Sequence, residues 1–590
     1  MRKTSKAMTA VASAAILTIT GASTVAPSGI SFSDIPVVAA VDNNNDDWLH
    51  VCGNEIHDKN CNEVWLTGVN WFGFNCNEVM FHGLDAGKDF RKIASGIADK
   101  GFNCVRVPIA TELLVSWMNG DPVKGSTNFS DSPYYTNNPW FLTADGEQMN
   151  SMEIFDACMN MFKEYGLKVI IDIHSAEIDN SGHDKRLWYY GDFTTEDWQD
   201  TLVWLADKYK NDDTIIAYDI KNEPHGDATQ VKAKDGAKWD DSTDLHNWRY
   251  AAETCGQEIL KVNPNALVLI EGIQVYPKFE NGQDWNSEPG GYGAPENYYP
   301  GWWGGNLRGV KDFPIELISP SSGKSQLVYS PHEYGPSVHP QEWFQKEFTL
   351  QTLLDDYMQD TWAYLLPDYP MLIGEWGGHM DGDKNQRWME ILRDYMIDNT
   401  LHHTFWCVNP NSGDTGGLLD HSWDNWDMEK YGLVEPSLWQ TLDTGKYIGL
   451  DHQIPLGENG ITLNEFYSSY SSTEGSNIGG GTKGSGNITP TNPTTPPTTS
   501  NTTSSSGGAD VTVWGDANCD ENVDMSDAVL IMQSIANPDK YGVNGSETSR
   551  ITEQGKINGD VYEPGSDITS NDALSIQKFR LSIISTLPEA

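Results

Sequence analysis

The chain has 590 residues, with 38 Lys and Arg against 84 Asp and Glu and a formal net charge of -46. That balance argues against nucleic acid as a partner, because phosphate binding needs a basic surface; a strongly acidic substrate would need a locally basic site. The length accommodates several domains. The 22 Trp and 24 Tyr suit either a large aromatic core or a surface that packs against neutral polysaccharide.

Residues 1–40 read as an export signal. Arg2, Lys3 and Lys6 form a positive start, an apolar small-residue stretch runs from Ala7 to Ile19, and Val38-Ala39-Ala40 offers a cleavage site. The apolar stretch is interrupted by Thr9, Ser13 and Thr18 and is too short for a membrane span, which needs roughly 20 apolar residues. No later segment resembles a span. The eight cysteines are dispersed without a CxxC, so zinc has no support from spacing; Cys52 and Cys61 are near enough to bridge a short hairpin.

Residues 46–466 have mixed globular composition and a strand–helix rhythm. Apolar runs recur at 64–70, 102–108, 167–174, 215–222, 266–272, 327–332, 371–376 and 403–409. Several are continuous rather than alternating, as in parallel strands buried on both faces. Helical stretches lie between them at 89–101, 152–166 and 196–210, the first two ending at glycine. The expected fold is an α/β (β/α)8 TIM barrel. An open doubly wound sheet would carry a Gly-rich phosphate loop, and GVNWFGFN at 68–75 is not one.

Polar groups collect at the C-terminal ends of these strands, where barrel enzymes keep their chemistry. They are Asn70, Arg106, His174, Asn222 with Glu223, Glu271, His332, Glu375 and Trp406. Glu223 ends the fourth strand and Glu375 the seventh, so the two can face each other across the barrel axis. Glycosidic cleavage needs such a pair, one carboxyl to protonate the leaving oxygen and one to attack the anomeric carbon or activate water. Spacing alone does not assign which is which. Arg106 suits a partner for the nucleophile and Tyr334 a hydrogen-bond donor to it. Asn222 suits a sugar hydroxyl, and His174 and His332 suit sugar or a carboxylate. Trp406 and Trp71 offer flat faces for pyranose rings, with core packing as the alternative for each.

This block resembles glycoside hydrolase family 5, the retaining cellulases. The residues that carry the resemblance are Arg106 in VRVP, His174 in DIH, Asn222-Glu223 in NEP, His332 and Tyr334 in PHEY, Glu375 in GEWG, and Trp406. The resemblance implies Glu223 as acid/base, Glu375 as nucleophile, and no cofactor for catalysis. It favours β-1,4-glucan as substrate and endo action, with mannan, xyloglucan or mixed-linkage glucan as alternatives. Residues 288–309, rich in Gly and aromatics, are either part of a substrate platform or a packed surface loop.

Residues 467–508 are Ser, Thr, Gly, Asn and Pro and read as an extended linker. In residues 509–590 a twelve-residue loop opens at Asp516. Asp516, Asn518, Asp520, Asp524 and Asp527 hold positions 1, 3, 5, 9 and 12, and Asn522 would give its carbonyl at position 7. Oxygen ligands so spaced wrap a calcium ion. A second, longer loop offers Asp560, Asp567 and Asp572 before another helix. The duplicated loop and helix resemble a dockerin. That resemblance implies a small, mostly helical domain that binds calcium and a cohesin on a scaffold protein, and so a secreted, cellulosome-associated enzyme.

Overall fold

The computed structural model describes residues 46–124, 137–226, 235–287, 296–478 and most of 511–588. The predicted export signal and most of the predicted linker lie outside the described residues. The chain divides at residue 487 into two units.

In the first unit every apolar run singled out above forms a strand. These are β1 (Thr67–Asn70), β2 (Cys104–Ala110), β3 (Lys168–Ser175), β4 (Ile215–Asp219) and β5 (Leu267–Ile270). They continue with β6, in two pieces (Leu327–Tyr329 and Glu333–Tyr334), β7 (Leu372–Gly377) and β8 (His402–Phe405). All are buried along their length, which explains why the runs are apolar on both sides. Each pairs parallel to the next, and β8 pairs with β1 through Phe405 and Val69. The first piece of β6 pairs with β5, while Tyr329 bridges Met371 and the second piece pairs with β7. The sheet thus closes on itself, as in a (β/α)8 barrel.

The outer helices are α1 (Phe90–Asp99), α2 (Ser151–Glu164), α3 (Thr195–Tyr209), α4 (Trp248–Val262) and α5 (Lys384–Asp398). Side-chain caps start four of them. Asp89 accepts from Arg91 and Lys92, Asn150 and Glu153 form a capping box, Thr194 and Asp197 another, and Asn247 accepts from Tyr250. Such caps satisfy amides that the helix leaves open. Between β5 and β6 the described residues depart from the helical rhythm. They form an antiparallel ribbon, Val275–Pro277 with Tyr298–Pro300, and a 3-10 turn at Arg308–Lys311.

The N-terminal ends of the strands are capped by a hairpin of His50–Cys52 and Glu55–His57. Leu49, Val51, Ile56 and Trp65 pack there with Leu450, Leu463, Phe466 and Ile478. The barrel unit therefore continues past the boundary expected at 466: a helix spans Leu463–Ser469, and Tyr467 and Tyr470 pack against the same cluster. The hairpin near Cys52 and Cys61 exists, but neither thiol is bonded. Among the described residues no helix is long and apolar enough to cross a membrane.

In the second unit, α6 (Met525–Ala536), α7 (Glu553–Gly559) and α8 (Ser570–Arg580) surround a small core. Ala517, Ala528, Ile531, Ile551, Val561, Ala573 and Ile576 fill it.

Candidate active site

Arg106, at the middle of β2, is wholly buried in the barrel. A buried guanidinium is tolerated only when its N–H groups and charge are matched. Here its Nη1 donates to Glu375 Oε1 at 2.8 Å and to Asn70 Oδ1 at 3.0 Å. Its Nε donates to Asp219 Oδ2 at 3.0 Å, and its Nη2 to Asn222 Oδ1 at 3.0 Å. Asp172 and Glu271 stand 3.2 and 3.4 Å from Nη2. Residues from β1, β3, β4, β5 and β7, or just past their ends, are thereby tied to one cation on β2. Asn70 is fixed in turn by donating to the Gly374 carbonyl at 3.1 Å.

Glu375, near the end of β7, also accepts from the Tyr334 hydroxyl at 2.6 Å. Burial alone would raise its pKa, but the charges of His332 and Arg106 and the Tyr334 hydrogen bond win and hold it below the ordinary carboxylate value. Glu223 shows the opposite shift. Burial raises it and the Glu375 charge adds to that, against the pull of His332. One oxygen of Glu223 and one of Glu375 lie within 4.8 Å of each other, with a His332 nitrogen in the same group. The two carboxyls thus sit close together with pKa values pushed apart, the condition for one proton donor and one anion at the same pH.

His332, between the two pieces of β6, connects them. Its Nδ1 lies 3.0 Å from Glu223 Oε1 and 3.6 Å from Glu375 Oε2, and its Nε2 lies 3.1 Å from Glu271 Oε1. Burial opposes its charged form, but the surrounding carboxylates raise its pKa well above the usual histidine range. His174 differs: burial drives it well below that range, and its Nδ1 meets Asp172 Oδ2 at 2.7 Å. The Asp172 contact fixes how the ring is oriented.

These groups open onto a cavity of about 510 Å³ lined by Glu223, Glu375, His174, Asn222, Tyr334 and Trp406, with Phe72, Trp302, Trp303, Asn75 and Asn411 around them. Trp406 lies parallel to His174, with ring centres 5.6 Å apart and 5° between planes, and to Phe72, at 5.5 Å and 12°. Trp71 is not among the lining residues. It is fully buried, stacks on Phe90 at 5.5 Å, and donates from Nε1 to the His82 carbonyl. Its expected role as a platform is therefore corrected: β1 ends just before it, the ring turns under α1, and Phe72 faces the cleft instead. The 288–309 segment contributes Gly301, Trp302 and Trp303, so its described part borders the cleft, and Trp303 stacks on His225 at 3.8 Å.

Sequence reasoning missed Phe72, Asp172 and Asp219 as members of this site. A usable signal existed for the aspartates. Each interrupts an apolar run, VIIDIH and IIAYDIKN, and a carboxylate inside a doubly buried strand requires a cation nearby.

In the second unit Asp527, in the first turn of α6, is wholly buried, and its Oδ1 accepts the Asn518 amide at 3.0 Å. Asp572, equally buried near the start of α8, accepts the amides of Val561, Tyr562 and Thr569 at 2.7, 2.7 and 2.6 Å. Asp516 is buried, and Asp560 Oδ2 accepts the Gly565 amide at 2.7 Å. Asp520, Asn522, Asp524 and Asp567 lie outside the described residues.

The cellulase family, glycosyl hydrolase family 5, matches residues 43–412. Endoglucanase G of Acetivibrio thermocellus is 53% identical over 512 residues, 84% of this chain and 86% of that protein. Endoglucanase B of the same organism is 44% identical over 450 residues, 71% of this chain and 77% of that protein. Among solved structures, a hyperthermophilic endocellulase from Pyrococcus horikoshii superposes with a TM-score of 0.56 at 31% identity, covering 66% of this chain and 98% of that one. The chain belongs to the cellulase family, glycosyl hydrolase family 5. Within it, this enzyme is an endo-acting β-1,4-glucanase.

Proposed function

We propose that hydrolysis proceeds with retention through a covalent glycosyl-enzyme. Glu375 attacks the anomeric carbon while Glu223 protonates the departing glycosidic oxygen. Glu223, now a carboxylate, takes a proton from water, which attacks the same carbon and releases Glu375. Retaining enzymes hold their two carboxyls roughly 5–5.5 Å apart. The carboxylate oxygens within 4.8 Å here are the observation that carries the reading. Arg106 and Tyr334 keep Glu375 anionic and oriented. Their hydrogen bonds weaken its attack slightly but also stabilise it as the leaving group in the second step. Trp406 and Phe72 give the glucan flat apolar faces, and Asn222 and His174 give it polar contacts. Proton NMR of cellopentaose digestion tests the stereochemistry. The β-anomer should appear first; initial α-anomer contradicts the mechanism. Glu375→Gln should abolish release of reducing ends from carboxymethylcellulose while the protein stays folded.

The second unit is proposed to be a dockerin that folds around calcium and docks on a cohesin, with the enzyme exported by its N-terminal segment. Asp516, Asn518, Asp520, Asn522, Asp524 and Asp527 would hold one ion, and Asp560, Asp567 and Asp572 another. The fit is supported by Asp560 Oδ1, a buried carboxylate oxygen without a hydrogen-bond partner. Calcium would supply the charge that lets so many carboxylates converge. A protein partner is supported by Val529, Met532 and Ile535, three-residue steps along α6 that leave apolar side chains exposed. Capture of the full chain by an immobilised cohesin should require calcium and be lost in chelator; capture in chelator would contradict it.

A further inference from the structure

Glu271 is not needed for either step of the mechanism above, yet it is the most connected carboxylate behind Glu223. It sits just past the end of β5 and is wholly buried. Its Oε2 accepts the backbone amide of Glu223 at 2.7 Å. Its Oε1 lies 3.1 Å from His332 Nε2, and the far nitrogen of that ring lies 3.0 Å from the Glu223 carboxyl. Glu271 therefore holds the acid/base by a main-chain hydrogen bond and faces it a second time through an ion-pair contact with the imidazole. The main-chain hold has work to do. Glu223 has φ of 50°, in the left-handed region that a non-glycine residue enters only when its surroundings impose it.

Gly304 backs this arrangement from the β5–β6 segment. A Cβ there would stand 2.0 Å from Glu271 Oε2 and 3.3 Å from the Glu223 Cα, and its φ of 69° already disfavours a side chain. Its carbonyl accepts the Gly272 amide at 2.6 Å, which fastens the two segments together. The backbone at 304 thus approaches the carboxylate as closely as packing allows.

We infer that Glu271, backed by Gly304, is a positioning residue that fixes the backbone and carboxyl of Glu223 for proton transfer. The inference rests on Glu223 being the acid/base. Charged groups around His332, through which Glu271 acts, are Glu223, Glu375, Asp219, Asp172 and Glu333, and the buried Lys221 faces Glu271 and Glu223. Burial raises the pKa of Glu271 to about 8 and the His332 charge pulls it back down, so the two groups share protons. Glu271→Gln breaks that sharing, and the pH profile of kcat/KM should shift.

The test compares two substrates in wild type, Glu271→Gln and Glu223→Ala. Cellotetraose has a sugar leaving group that needs a proton; 2,4-dinitrophenyl β-cellobioside has one that does not. Glu271→Gln should lose about 100-fold in kcat/KM on cellotetraose and less than about five-fold on the dinitrophenyl glycoside. Azide should speed its turnover of the dinitrophenyl glycoside by replacing the water that needs a base, giving β-cellobiosyl azide. Equal losses on both substrates with an unmoved pH profile and no azide response would mean a purely structural role and overturn the inference, as would wild-type behaviour. Gly304→Ala, which displaces Glu271 without removing its charge, should show the same substrate split. It decides the matter if the Gln variant does not fold; equal losses on both substrates, or no loss, overturn the inference there too. Failure of the underlying assignment is separable: it appears as Glu223→Ala lacking both the split and the azide response.

Discussion

The two ends of the barrel each bury a basic side chain, Arg106 or Lys168, among carboxylates, and they use it differently. At the C-terminal end, Arg106 contacts Asp172, Asp219, Glu271 and Glu375, and Glu375 opens onto the cleft. At the N-terminal end, Lys168 at the start of β3 lies 3.4 Å from Asp213, 3.2 Å from Asp451 and 3.8 Å from Asp47. Beside it His452 bridges Asp47 and Asp58. Asp47 and Asp58 come from the first described segment of the barrel unit and Asp451 and His452 from its last, so the cluster ties both ends to the base of β3. Both clusters carry desolvation costs that the pairing offsets. Only the upper one leaves a carboxylate exposed to substrate with its charge held in place. The comparison separates charge used for chemistry from charge used for closure.

Replacing each cation should break the two ends in different ways. Arg106→Lys keeps the charge but not the planar fork, and should cost at least about 1000-fold in kcat on carboxymethylcellulose; near-normal turnover would show that the fork is dispensable. Lys168→Met leaves Asp451 without its cation, weakens the pairing of Asp47 and Asp213, which keep His452 and Lys163, and should destabilise the barrel by about 3 kcal/mol in urea denaturation. The turnover per folded molecule should not change, and a large fall would mean that the base is coupled to the site.

His452 sharpens the closure half. Burial opposes its charge, but Asp47 and Asp58 raise its pKa to about 9. A raised histidine stabilises the fold fully below its unfolded value of about 6.5, and the contribution is lost as pH rises through about 9. His452→Gln should therefore be less stable than wild type at pH 6 by about 2 kcal/mol, with the gap closing toward pH 10. A gap independent of pH would assign the loss to packing. The smallest effect belongs to Phe72→Ala, expected to raise KM for cello-oligosaccharides about five-fold with kcat nearly unchanged. An unchanged KM would remove Phe72 from the glucan path.

The strands were legible because burial on both faces writes itself as unbroken apolar runs, and the polar strand ends stood out against them. What failed depends on geometry that composition does not record. Trp71 and Phe72 are adjacent aromatics, and only the point where β1 stops decides which one turns inward. Tyr467, Tyr470 and Ile478 sit in a Ser-rich stretch whose composition resembles the linker, yet they pack against the barrel base. The role of Glu271 was partly readable from its strand-end position. Its grip on the Glu223 amide was not, because a side-chain contact to a backbone 48 residues away leaves no local pattern.

The division of labour between Glu375 and Glu223 is the centre of this account, and trapping the intermediate tests it most directly. Protein treated with 2,4-dinitrophenyl 2-deoxy-2-fluoro-β-cellobioside should be inactivated with one fluorocellobiosyl group attached. Peptide mass spectrometry should place that group on Glu375. Attachment to Glu223, or inactivation without any covalent sugar, would contradict it.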